Sequence, residues 1–273
     1  MNSVLRNRCL RLPSSDPIPR HGGECAVNSV ATPGIALAAL CTVLVAAAAA
    51  VYWFAELDSA WVPPRAAARG ATQLAAVALV LAAALAHLWS SLLVLAVMFV
   101  AAVFTSARRS GSGCTAAWLA LALAAGMAAV LPMMLVSGVV PIKGVALVPI
   151  GGIVLGGAMT ATSLAARRAL DAIEQRWGEV EAALSLGLTE RDARMEVIRR
   201  TAADALLPGV DQTRTVGLVT LPGAFVGVLV ASGSAYQAGA VQILVLVGLL
   251  LAQSCSVAVT IELVARTKVR RPR

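Results

Sequence analysis

Glu181-Ala182-Ala183-Leu184-Ser185-Leu186-Gly187 lies inside a charged block, Arg167 to Asp211, of a chain that is otherwise mostly apolar. The block holds seven arginines against nine acids, and a long apolar run stands on either side of it. A helix-forming charged segment slung between membrane helices decides the fold: an all-α polytopic membrane protein with a polar device outside the bilayer. Ala169 to Leu184 reads as a helix continuing from the preceding apolar run. Gly187 breaks it, and Thr189 caps a second helix, with Asp192 three positions on. That second helix carries Ala193, Val197, Ile198, Ala202, Ala205 and Leu206 at helical spacing, and Pro208 ends it. The expectation is helix, short turn over Leu184 to Thr189, helix. Such a projection either enters a groove on a partner and moves as a lever, or packs its amphipathic faces on the protein's own inner surface.

Of the 273 residues, 59% are hydrophobic and 13% charged, with a mean hydropathy of +0.83. Soluble domains carry about 25% charged residues, and a bilayer crossing needs about 20 apolar ones. Roughly seven spans fit the chain once the charged block is set aside. They are expected at Gly34–Phe54, Thr72–Ala86, Trp89–Thr105, Thr115–Val136, Val145–Ala165, Val216–Ala231 and Ala240–Ala265. A loop broken by Pro63-Pro64 joins the first two. His87-Leu88 leaves almost no loop between the second and third, and a short turn with Pro141 runs from Gly138 to Lys143. Residues 1–33 are polar and proline-bearing and read as a flexible tail. The transmembrane domain is then 34–265, with the polar region at 166–212, and a basic tail occupies 266–273.

Arg65, Arg69, Arg108, Arg109, Arg167, Arg168 and the C-terminal cluster fall on one side of a seven-span chain, and Lys143 stands alone among the opposite short turns. Positive charge marks the inner side, so the charged block and the C-terminus are expected in the cytoplasm, across a bacterial inner membrane. Arg6, Arg8, Arg11 and Arg20 oppose this assignment and are outnumbered. The net charge of +8 follows from these loops and from Arg266, Lys268, Arg270, Arg271 and Arg273. It suits anionic lipid headgroups rather than nucleic acid.

Cys9, Cys25, Cys41, Cys114 and Cys255 are scattered, and neither a disulfide framework nor a zinc site emerges from their spacing. His21 and His87 cannot build a metal site alone. No nucleophile–base or carboxylate pair falls within a span, so the pattern is not that of an enzyme. Gly152 and Gly156, and again Gly223 and Gly227, stand four apart, as small residues do where membrane helices approach closely. They serve either packing within the chain or a subunit interface or moving pathway. Pro222 is a kink site. Gln73 and Gln242 are polar residues within spans, open to a role in a pathway or to interhelical hydrogen bonding. Met159 suits a soft metal or fills a gap. Glu262, near the end of the last span, is expected to pair or to extend toward the interface.

Glu181, Ala182, Ala183 and Gly187 match the Glu-Ala-Ala, three residues, Gly core of the coupling-loop motif of ABC transporter permeases. The wider order is more specific. It runs from Pro149-Ile150-Gly151-Gly152-Ile153 and Gly156-Gly157-Ala158-Met159 through Leu184-Ser185-Leu186-Gly187 and Leu207-Pro208-Gly209-Val210-Asp211. Thr215-Val216-Gly217-Leu218-Val219-Thr220-Leu221-Pro222-Gly223 and Gln242-Ile243 follow. This order resembles the FetB family of iron-export ABC permeases, to which plant aluminium-tolerance permeases are similar. The resemblance covers about Arg69 to Arg266. Gly157 stands where that family usually has Asn, Ala224-Phe225 where it has a Met pair, and Ala235 where it has Pro.

The resemblance implies the membrane subunit of an ATP-binding cassette exporter of iron or another metal, working by alternating access. Glu181, Ala182, Ala183, Leu184, Leu186, Gly187 and Thr189 would meet the ATPase. Gln73, Gly152, Gly156, Met159, Pro222, Gly223, Gly227 and Gln242 are the pathway or packing candidates. A P-loop needs a Gly-rich turn ending in Lys followed by Ser or Thr. Lys143 and Lys268, the two lysines, do not follow a Gly. ATP and Mg are therefore expected in a separate ATPase chain, no cofactor is expected on this one, and a second copy of the chain completes the permease. The alternatives are an ABC permease for a nucleotide sugar or lipid, and a non-transporting membrane scaffold.

Overall fold

A computed structural model of the chain describes residues 34–84, 88–112, 115–138 and 144–271. The expected tail over 1–33, the His87 turn, and Pro141 and Lys143 of the turn before the fifth span lie outside the described residues, as do His21, Cys9, Cys25 and Cys114. The described elements are helices: α1 Ile35–Phe54, α2 Val62–Ala84, α3 Leu88–Ser110, α4 Ala116–Val136 and α5 Gly144–Gln175. The series continues with α6 Trp177–Ser185, α7 Glu190–Ala203, α8 Leu207–Thr215, α9 Gly223–Ser232 and α10 Ala235–Ala265. Among the described residues strand pairing is limited to a bridge between Val216 and Thr220.

Among the described residues, five helices are long and apolar enough to cross a bilayer: α1, α3, α4, α5 and α10. The chain is an integral membrane protein, the expected second span starts earlier than Thr72, and the expected sixth takes another form. The second begins at Val62, not Thr72. Pro63 and Pro64 sit in its first turn, where a missing N–H breaks no helical hydrogen bond. Arg65 and Arg69 therefore ride on α2 rather than in a loop. The sixth is broken. Val216 leaves α8 in an extended conformation, Gly217 is left-handed at φ +83°, and α9 restarts only at Gly223. At ten residues α9 spans about 15 Å, half of a hydrocarbon core.

The chain divides into two units, up to Ala76 and from Val77 onward. In the first, α1 buries no residue, which suits a helix whose solvent is lipid. In the second, α3, α4, α5 and α10 pack side by side. Small residues set their spacing. A Cβ on Gly151 would stand 2.7 Å from Leu95 Cδ2, and one on Gly152 2.9 Å from Met98 Cε, so α3 rides close on α5. Leu123, Leu155, Ala158 and Ala102 close one apolar cluster of α3, α4 and α5.

The largest core cluster continues past the apolar stretch. It joins Leu119 and Ala122 of α4, Ala161 to Ala169 of α5 and Val257 to Ala265 of α10 with Met195, Ile198 and Ala202 of α7. The charged block thus shares a core with the ends of the long helices and does not hang free. A 3-10 turn at Asp204–Leu206 joins α7 to α8. Pro208, expected to end a helix, stands in the first turn of α8 instead.

Candidate functional site

The charged block forms a helix–turn–helix, and each joint in it has a local cause. The helix expected to run unbroken to Leu184 stops at Gln175, and α6 starts anew at Trp177. Arg176 holds the break. Its guanidinium bonds both Glu179 carboxylate oxygens, with Nε at 2.7 Å, and Nη1 donates to the Val197 carbonyl at 3.4 Å. The same contact holds the Glu179 carboxyl below its usual range. Val180 is buried with Ala172, Ala193 and Val197, and Ala183 and Leu184 pack against that cluster, so α6 lies on α7 by one narrow face.

The turn is a Schellman motif. Gly187 N–H donates to Leu184 O at 2.9 Å and Leu188 N–H to Ala183 O at 3.2 Å. The residue between is left-handed at φ +90°, which glycine adopts without the steric strain of a Cβ. Thr189 then caps α7. Its hydroxyl oxygen accepts from Asp192 N–H at 3.2 Å, and the hydroxyl donates to Asp192 Oδ2 at 2.7 Å. The Thr189 hydroxyl, and next the Arg191 guanidinium, hold the Asp192 carboxyl below its ordinary value. Two residues of this rigid turn point outward: Leu186 is 83% exposed and Leu188 39%. Glu181 is exposed beside them and accepts the Trp177 indole N–H at 2.7 Å.

The base of the device is tied to the long helices. Arg191 donates twice to the Glu262 carboxylate, at 2.8 and 2.6 Å. Arg266 Nε shares Oε1 of that carboxylate at 2.6 Å. Arg194 donates to the Ala265 carbonyl at 3.4 Å, and Arg168 of α5 lies 3.3 Å from Asp204. Displacing the turn must therefore displace the ends of α5 and α10. The C-terminal residues fold onto the same ends. Val269 is buried, Lys268 lies over the Trp118 ring at 5.2 Å, and Arg271 bonds Asp171, and Glu174 at 2.7 Å. Much of the charge expected to reach lipid is bound within the fold.

Among the candidates, Glu181, Ala182, Leu186, Gly187 and Thr189 are exposed on α6 and the turn after it, whereas Ala183 and Leu184 are half-buried against α7. The pathway candidates fall on four helices, α2, α5, α9 and α10. Gln73 is exposed in the first unit. Met159 packs against the α3–α4–α5 cluster, and its carbonyl accepts from Ser163 at 2.6 Å. Gly152 meets Met98, whereas open space surrounds Gly156, Gly223 and Gly227. Pro222 is the N-cap of α9, not a kink within a span. Gln242 is buried, and its Oε1 has no partner. Three further buried oxygens share that condition: Thr162 Oγ1, Gln253 Oε1 and Ser256 Oγ. Residue type alone marked these as polar within spans, but not which of them would be buried without partners. Among the described residues no three His, Cys, Asp or Glu side chains converge as a metal site would require.

The model of an uncharacterised protein family, UPF0014, matches residues 35–269. A UPF0014 membrane protein of Synechocystis is 36% identical over 178 residues, 63% of this chain and 69% of that protein. The UPF0014 membrane protein STAR2 of rice, Oryza sativa, is 33% identical over 127 residues, 46% of this chain. The probable iron export permease protein FetB of Escherichia coli is 32% identical over 146 residues, 54% of this chain. The matched stretches span 45% of the rice protein and 56% of the Escherichia coli protein. No solved structure matches the chain.

Proposed function

This chain belongs to the UPF0014 family of membrane proteins, and from that membership we propose that it is the membrane-spanning permease subunit of an ATP-binding cassette exporter. One observation carries the reading. The α6–α7 turn presents Leu186 and Leu188 on a backbone fixed by Gly187 and Thr189, and its base is bonded to α10 through Arg191 and Glu262. An apolar knob on a rigid stalk, wired to the long helices, is what a separate ATPase needs to pull on them. The charged block lies in the cytoplasm in this reading, with the C-terminus beside it. Two copies of the chain pair with two ATPase chains, which bind ATP and Mg. Closure of the ATPase pair moves the turn, α7 carries that motion to α5 and α10, and the bundle alternates between inward and outward access.

Iron or another metal is the substrate suggested by the name of the Escherichia coli relative. A second reading is favoured by the interior. Among the described residues, Gln242 Oε1 and Thr162 Oγ1 are buried without a partner; such oxygens recognise by hydrogen bonding, whereas transition metals are held by imidazole, thiolate or carboxylate. A nucleotide sugar or a lipid headgroup suits them better than a bare ion.

The test is reconstitution with a co-expressed ABC ATPase. Glu181→Arg inverts an exposed charge beside the knob, and Gly187→Pro removes both the left-handed turn and the N–H that donates to Leu184. Each is expected to abolish recovery of the ATPase with the permease while Arg191 and Glu262 keep the chain folded. Full assembly and ATP hydrolysis by both variants would place the contact elsewhere. Stimulation of hydrolysis by a metal, against stimulation by a nucleotide sugar or lipid, separates the two substrate readings. No ATPase recovered by the unaltered chain would leave the scaffold alternative.

A further inference from the structure

Gln253 sits on α10 about 18 Å short of the helix end at Ala265, and it is 7% exposed. Two glycines from two other helices enclose its amide. A Cβ on Gly209 of α8 would overlap Oε1 and stand 2.9 Å from Cδ and 3.1 Å from Nε2. A Cβ on Gly157 of α5 would stand 3.1 Å from Nε2. One turn further along α10, a Cβ on Gly126 of α4 would overlap Ser256 Oγ and stand 2.6 Å from the Ala252 carbonyl. Three helices thus approach α10 at one level, each through a glycine, around an amide and a hydroxyl. Neither Gln253 Oε1 nor Ser256 Oγ has a hydrogen-bond partner, and both are sealed from solvent.

An amide oxygen buried without a partner is destabilising, and native interiors rarely keep one without a use for it. Here the two unsatisfied groups are complementary. The Ser256 hydroxyl can donate and the Gln253 Oε1 can accept, and residues three apart face each other on a helix. In this conformation they do not bond each other, and α8 lies against the first and α4 against the second. Of these, α8 is the helix that leaves the α6–α7 device directly, through the Asp204–Leu206 turn. It leads into the broken segment over 216–222.

We infer that Gln253 is a positioning residue for transport: its amide reads the position of α8 and passes it to α5 and α10. The inference rests on the permease reading. In the conformation described, Gly209 lies so close to Oε1 that no side chain would fit between them, and Oε1 has no partner. When the coupling device draws α8 along α10, Gly209 clears the amide, and Gln253 Oε1 takes the Ser256 hydroxyl. The hydrogen bond gained in the second state offsets the closer fit lost from the first. That differential interaction is what a two-state element requires.

The test is hydrogen exchange over residues 207–222 in the complete permease–ATPase complex, in nanodiscs, without nucleotide and with Mg-ATP plus vanadate. The unaltered complex is expected to change its exchange rate there by about tenfold between the two conditions. Gln253→Leu keeps the volume and removes the amide. It is expected to keep ATPase recovery and thermal stability at or above the unaltered level, and to lose the nucleotide-dependent change. Gly209→Ala is expected to disrupt the contact and lower the thermal midpoint. Gly209→Ala with Gln253→Ala is expected to restore the midpoint without restoring the change. A Gln253→Leu complex that responds to nucleotide as the unaltered one does overturns the inference and leaves the permease reading standing. An unaltered complex that recovers its ATPase but shows no nucleotide-dependent change over 207–222 overturns the inference. Failure of the unaltered chain to recover an ATPase overturns both.

Discussion

At the residue scale, the glycines of this chain do different work at different addresses. Gly187 supplies a left-handed turn and meets no neighbour, whereas Gly126 supplies room and has no unusual backbone. The two predict different behaviour. Gly187→Ala strains the backbone alone and should cost about 1 kcal/mol. Gly126→Ala drives a methyl into the backbone carbonyl of Ala252, which cannot rotate away. Its thermal midpoint should fall by several degrees, as overpacking by about 1–3 kcal/mol requires. Ser256→Ala should not rescue it, because the carbonyl remains at 2.6 Å when the hydroxyl is gone. That contrasts with the rescue of Gly209→Ala by Gln253→Ala, where only the far end of a flexible side chain is in the way. A midpoint restored by Ser256→Ala would show that α4 and α10 part more easily than this packing implies.

At the scale of elements, α7 is the piece that joins the polar device to the long helices, and it is held in two ways. Its apolar face enters the common core through Ile198, which is fully buried. Ile198→Ala should cost about 2–5 kcal/mol, read as a lower thermal midpoint in detergent. Its start is held by the Thr189 cap. Thr189→Ala should cost about 1 kcal/mol and raise hydrogen exchange over the first turn of α7 without touching its far end. The cap also sets a pH dependence. Asp192 has a folded value below its unfolded one, so it contributes stability above the ordinary carboxylate range and loses it only as pH falls through the lowered value. The first turn of α7 should therefore keep constant protection across neutral pH and loosen only in acid below that range. A loosening centred near pH 6 would mean that a different group controls it.

At the scale of the whole molecule, the permease reading gives the broken sixth segment a place in transport. A continuous helix there would present a uniform apolar face to its neighbours. The hydrogen-bonded turn over 216–220 and the two residues after it instead expose Leu218, Val219 and Leu221 between two short helices. Discontinuous membrane helices leave backbone groups open beside a pathway in many transporters. The permease reading pairs two copies of this chain, and a closed two-fold assembly presents the same surface from each. The purified complex should then hold permease and ATPase in equal numbers, two of each, by mass measurement. A single permease chain per assembly would leave one face of α9 uncovered and would require a different partner for it.

What the sequence determined by itself is local. The apolar runs specify helices that need lipid, because their composition leaves no polar face to solvate. The charged block between them specifies a device outside the bilayer. Gly187 and Thr189 specify its turn, since a left-handed position and a helix cap are properties of one residue and its immediate neighbours. The Glu-Ala-Ala and Pro-Gly segments carried the family resemblance for the same reason: they are contiguous. The break in the sixth span at Gly217 was not legible because apolar composition looks alike in a continuous crossing helix and in one that breaks. Only the tertiary structure decided which polar residues meet. Arg191 and Glu262 lie 71 positions apart, and no spacing rule relates them. Gln253 ranked no higher than Gln73 or Gln242 in the sequence. Its place between Gly157 and Gly209 exists only once three helices have packed, because close packing, not residue type, decides whether a buried amide finds a partner.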